Sequence, residues 1–201
     1  MDVSVDELAL LKRGRLLEGA TLAWNVVGII VLAIAALSAH SVALAGFGLD
    51  SLIEIGASTV VLWELSGVGE ARQRRALRLI AFAFVGLGVY LVTQTAYVFA
   101  DDYHPQHSPL GIAWTAVTAA VMFALAAGKR RTGTRLGNPV LVTEGRVTTI
   151  DALLACAVLL GLVLNALVGW WWADPLAGLV IVYYAAREAA EILRPHHGPA
   201  A

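Results

Sequence analysis

The sequence predicts an all-α integral membrane protein, a bundle of six transmembrane helices with the N and C termini cytoplasmic. Three observations predict it. The chain is 59% hydrophobic and only 14% charged, with a mean hydropathy of +0.74, against roughly 45–50% apolar and about 25% charged residues in soluble domains. Six stretches approach the ~20 residues that a helix needs to cross a bilayer. The fourteen Lys and Arg residues all fall on one side of those stretches: before the first, between the second and third, between the fourth and fifth, and at the end of the sixth.

Residues 20–37 form the first apolar stretch, preceded by MDVSVDELALLKRGR, which places acids before bases and lacks the layout of a cleaved signal peptide. Residues 42–65 form the second, interrupted by Asp50 and Glu54. The third and fourth, 79–100 and 110–128, are free of charge. Between the fourth and fifth, Gly133, Gly137, Asn138 and Pro139 break the helical pattern, so 128–143 reads as a short connector. The fifth, 147–170, holds Asp151, and the sixth, 175–193, ends in a charged turn. Residues 1–195 thus make one six-helix membrane domain. Residues 196–201 read as a short cytoplasmic tail with no soluble domain after it, and His196 and His197 as solvated side chains.

Basic residues collect on the cytoplasmic side of short loops. Here Lys12, Arg13 and Arg15 precede span 1, and Arg72, Arg74, Arg75 and Arg78 lie between spans 2 and 3. Lys129, Arg130, Arg131, Arg135 and Arg146 separate spans 4 and 5, while Arg187 and Arg194 close span 6. The opposite connections carry Asp101, Asp102 and Asp174 and no Lys or Arg. Trp170, Trp171 and Trp172 stand at that outer interface, where indoles anchor helix ends. Cys156 is the only cysteine, which excludes an intrachain disulfide and suits a packing role. A net charge of −1 and compact loops offer nucleic acid no docking surface.

Carboxylates inside the spans carry the functional reading. Asp50 and Glu54 are four residues apart, which stacks them on one helix face. An acid at a helix centre costs about 2.5–3.5 kcal/mol on insertion scales, so a pair plus Asp151 demands a cation, protons or buried partners. No basic residue is expected at their depth, which leaves a structural ion pair hard to build. Glu144, Val147 and Asp151 share one face of span 5, with Glu144 nearer the cytoplasmic end. Asn25 in span 1 is placed to supply an amide oxygen or an interhelical hydrogen bond. Glu18, Glu64, Glu188 and Glu191 read as interfacial charge, and His104 and His107 as loop residues.

The segment GFGLDSLIEIGAS at 46–58 resembles the second transmembrane helix of the cation diffusion facilitator (cation efflux) family. The resemblance extends to EGRVTTIDALLAC in span 5 and GWWWADP before span 6. It implies a transport site for zinc or similar ions, built from two positions four apart on helix 2 and two on helix 5. By position these fall on Asp50 and Glu54, and on Val147 and Asp151. Where zinc carriers of that family commonly place His, this chain has Val147, so the metal ligands expected here are Asp50, Glu54 and Asp151, completed by water, Asn25 or another oxygen. The family's usual cytoplasmic domain is not expected after these spans, so a homodimer would rest on membrane contacts, with Gly86 and Gly88 permitting close helix approach.

The function expected is divalent metal cation efflux by metal/proton antiport, from a cytoplasmic (cell) membrane. The transported ion is zinc, manganese, iron(II), cobalt or cadmium; all-oxygen ligands favour the harder ions manganese and iron(II). No cofactor is implied. The alternative is a proton-coupled exporter of small organic cations, with Trp24, Trp63 or Trp114 as aromatic contacts. The chain has no HExxH, GxSxG or phosphate-loop motif, so an enzyme is not expected.

Overall fold

The structure, a computed structural model, describes residues 5–65, 70–101 and 104–193. Asp102, Arg194, His196, His197 and the tail 196–201 lie outside the described residues, as do the side chains of Trp63, Glu64, Arg72, Arg74 and Arg75.

Six helices account for nearly all of it: α1 Val5–Ala39, α2 Val42–Leu65, α3 Glu70–Ala100, α4 Pro109–Leu136, α5 Pro139–Val168 and α6 Ala173–Leu193. Four segments, Leu8–Ala39, Ala81–Ala100, Pro109–Leu136 and Glu144–Val168, are long and apolar enough to cross a membrane. Helices α2 and α6 complete the bundle and carry acidic residues, Asp50 and Glu54 on one and Asp174, Glu188 and Glu191 on the other.

Burial runs opposite to that of a water-soluble bundle. Ile30, Leu37, Phe82, Val89, Leu160 and Leu167 are exposed, whereas Asn25, Asp50, Thr115, Thr148 and Asp151 are buried. Lipid tails solvate the outer apolar side chains, and polar groups retreat to the interior where other protein groups meet them. The apolar core between them joins Leu32, Leu44, Phe47, Leu91, Val158 and Ile181.

The helices run past the apolar stretches because their flanking polar residues are themselves good helix formers. At 35 residues α1 spans about 50 Å, well beyond a ~30 Å hydrocarbon core. The largest departure from the sequence reading lies between α4 and α5. The expected connector over 128–143 is mostly helix, since α4 continues to Leu136 and α5 begins at Pro139. Gly137 ends α4 in the left-handed region at φ 62°, where glycine carries no Cβ penalty. The Asn138 N–H then returns to the Gly133 carbonyl at 2.9 Å. Asn138 Oδ1 accepts from the Leu141 N–H at 3.2 Å, capping α5 with proline at its first position.

Helix α4 packs most extensively on α5, and α3 on α6, while α2 touches α1, α3, α5 and α6. The other end of the bundle is tied by long-range polar bonds. Asp174 at the start of α6 accepts hydrogen bonds from the Ser41 hydroxyl and from the Val42 N–H at 3.0 Å, so it caps α2 from a different helix. Asn165 donates to the Pro105 carbonyl at 3.0 Å, which fixes the connection before α4.

Candidate metal centre

Helices α1, α2 and α5 bring the predicted side chains together. Asp50 and Asp151 are 1% and 5% exposed, and Glu54 is half-buried. Glu54 and Asp151 lie within hydrogen-bonding reach of each other, and Asp50 sits within electrostatic range of Asp151. Asn25, also buried, donates from Nδ2 to Glu54 Oε2 at 3.4 Å. Each of the three acids keeps one buried oxygen without a hydrogen-bond partner: Asp50 Oδ1, Glu54 Oε1 and Asp151 Oδ1. A buried polar atom left unpaired costs about 1–3 kcal/mol, more for a charged group, so these three oxygens have an unmet demand for a partner. Among the described residues, no group of three or more His, Cys, Asp or Glu side chains is close enough together to hold a metal ion as it stands.

Val147 sits half-buried on the same helix as Asp151 and offers no donor atom. Glu144, one turn nearer the start of α5, is partly buried and lies 3.9 Å from the Lys129 ammonium. Lys129 also donates to Glu18 at 3.0 Å. Here the sequence reading is corrected twice. Lys129, assigned to a loop, is a fully buried residue of α4 at 1% exposure, and it lies within electrostatic range of Asp151, where no basic residue was expected. A trace of this was in the sequence. Thr115, Met122, Ala126 and Lys129 fall on one helical stripe, and that stripe is the buried face of α4.

Tyr184 was also missed. It is buried on α6, within electrostatic range of Asp50, Glu54 and Asp151, and packs edge-on against Phe84 at 6.3 Å between ring centroids. Other singled-out residues stand apart from the site. Trp24 stacks on Trp114 at 4.9 Å and donates from its indole to Thr118 at 3.1 Å, so the pair joins α1 to α4. His104 stacks on Trp171 at 4.5 Å, and Trp170 on Trp172 at 5.0 Å. Gly86 and Gly88 face open space on α3.

An apolar exterior around an interior that holds buried carboxylates defines an all-helical membrane protein. Residues 78–196 match the family model of the cation efflux transmembrane domain, and the chain belongs to that family. The matched segment contains Asp151, while Asp50 and Glu54 precede it. The cation-efflux pump FieF of Shewanella oneidensis is 28% identical over 126 residues, which cover 63% of this chain and 42% of that protein. The chain therefore spans less than half the length of this relative.

Proposed function

We propose that this protein exports divalent metal cations in exchange for protons through Asp50, Glu54 and Asp151. The observation that carries the reading is the set of three unpartnered carboxylate oxygens on α2 and α5, buried inside the helical bundle of a cation efflux family member. In this reading all six helices cross the cytoplasmic membrane with both termini inside. The chain performs transport and no covalent chemistry.

A metal ion from the cytoplasm binds the deprotonated acids, the helices rock to open the opposite side, and outside protons displace the ion. Coupling is direct, because metal and protons compete for the same oxygens and metal binding requires release of the protons. Asn25 already touches Glu54 and is the amide oxygen best placed to join the shell after rotation of its side chain. With Val147 in place of an imidazole, every donor is oxygen, which removes a preference for zinc that an imidazole would give and shifts the expected cargo toward the harder ions manganese and iron(II). A homodimer would meet through membrane helices, with Gly86 and Gly88 on the outward face of α3 as the close-approach points.

The test is reconstitution into vesicles that enclose a pH dye, followed by addition of each metal in turn. Metal-dependent proton release in the parent protein, lost when Asp50, Glu54 or Asp151 is replaced by Ala, is the expected result. Undiminished exchange in all three variants, with folded protein, removes this site from the mechanism.

A further inference from the structure

We propose that the groove between the start of α1 and the end of α4 binds the phosphate headgroup of an anionic phospholipid. The groove encloses about 680 Å³. Four arginines line it, Arg13 from α1 and Arg130, Arg131 and Arg135 from α4, together with Thr132 and Thr134. Arg130, Arg131 and Thr134 follow Ala127 at i+3, i+4 and i+7, so they share one face of α4. Across the gap Leu10 and Arg13 are one turn apart on α1.

The preference of basic residues for the cytoplasmic side explains why these arginines are at this end of the chain, but not why four of them converge on one concavity. Among the described residues lining the groove none is acidic, and of the acids beyond it Glu18 Oε2 and Glu144 are held by Lys129. A second, independent observation points to a ligand. Thr132 is 1% exposed, lines the groove, and its hydroxyl has no hydrogen-bond partner. A phosphate oxygen would accept from the guanidinium forks, which match phosphate geometry in pairs, and from the Thr132 hydroxyl once that side chain turns toward the groove.

The site is also stiff. A Cβ at Gly145 would lie 2.6 Å from Arg130 Cγ and 3.0 Å from its backbone nitrogen, so α5 lies flush against the Arg130 stem and restricts its rotamers. A lipid fits better than a free phosphate ester. The groove opens where the apolar run of α4 gives way to Lys129 and the arginines, the level at which headgroups lie, and Leu10 and Ala127 add apolar wall for the glycerol end of a lipid.

This site is separate from the proposed metal path, and its test does not use transport. Thermal unfolding of the full chain in detergent is followed while dioctanoyl phosphatidylglycerol, dioctanoyl phosphatidylcholine or glycerol 3-phosphate is added. Phosphatidylglycerol should raise the unfolding temperature saturably, phosphatidylcholine should not, and glycerol 3-phosphate should need at least about tenfold more. The Arg130→Gln/Arg131→Gln double variant should shift half-saturation by about 25-fold, at about fivefold per arginine. Arg78→Gln, on α3, should leave it in place, and Thr132→Val should weaken it a few-fold. Equal responses to both lipids, or a double variant indistinguishable from Arg78→Gln, would overturn the proposal. Saturation by glycerol 3-phosphate as tight as by phosphatidylglycerol would overturn the lipid assignment in favour of a free phosphate ester. Should the glutamine variant fail to fold, Arg130→Lys/Arg131→Lys decides with net charge preserved: weaker binding supports the guanidinium forks, and unchanged binding rejects them.

Discussion

Asp174 and Asp50 are the same residue type at nearly the same burial, 0% and 1% exposed, in neighbouring parts of one bundle. Asp174 spends both carboxylate oxygens on α2, one on the Ser41 hydroxyl and the other on the Val42 and Ala43 N–H groups. Asp50 leaves Oδ1 with no partner and has Asp151 as a like-charged neighbour. Burial alone therefore does not separate a structural acid from a functional one. The partners of each oxygen do distinguish these two: the capped Asp174 has no capacity left for an ion, whereas Asp50, with a free oxygen and no cation paired to it, keeps the capacity that the proposed transport role requires.

The sharpest way to break that comparison is to neutralise each acid. Asp50→Asn should abolish metal-driven proton exchange in vesicles while the unfolding temperature in detergent holds or rises, since a costly buried charge is lost and its shape kept. A large fall in unfolding temperature would make Asp50 structural after all. Asp174→Ala should do the reverse, costing about 2 kcal/mol of stability through the lost cap and hydrogen bonds, with exchange per folded molecule unchanged. Denaturant titration in detergent alongside flux checks both halves.

Lys129 tests an intermediate case, a buried charge that is paired. Lys129→Met leaves Glu18 and Glu144 without their cation, and because those carboxylates are about a quarter exposed the cost should be about 2 kcal/mol rather than the 3–5 of a fully sealed pair. Adding Glu144→Gln should recover about half of it. No recovery in the double variant would mean that the lysine stem, packed in the core, matters more than its charge. The smallest effect expected is a change of preference. Val147→His should favour zinc relative to manganese by about tenfold, equivalent to about 1.4 kcal/mol, as read from the ratio of metal-induced proton fluxes.

The helices and the site acids were legible in the sequence for different reasons. Long apolar runs report their own length, and Asp50, Glu54 and Asp151 stand out because charge is rare within them. Partnership is not written locally. The hydrogen bond from Ser41 to Asp174 joins residues 133 positions apart, and nothing near either residue signals it. Lys129 was misplaced because its neighbours Arg130 and Arg131 made the whole stretch look solvated, although a helix sends successive side chains to different faces. The same rotation puts Lys129 inside while Arg130 and Arg131 line the groove. Tyr184 carried no sequence signal, since an aromatic in an apolar span is ordinary.

The two-residue link at Gly137 and Asn138 and the broad packing of α4 on α5 weld those helices into one hairpin, whereas α2 meets α5 only sparsely. Asp151 rides on the hairpin, and Asp50 and Glu54 ride on the helix across that thin seam. Among the interfaces of α2 with α1, α3, α5 and α6, the one that divides the acids is the smallest. In the proposed cycle, parting it would separate like charges, and closing it would bring them together around whatever neutralises them.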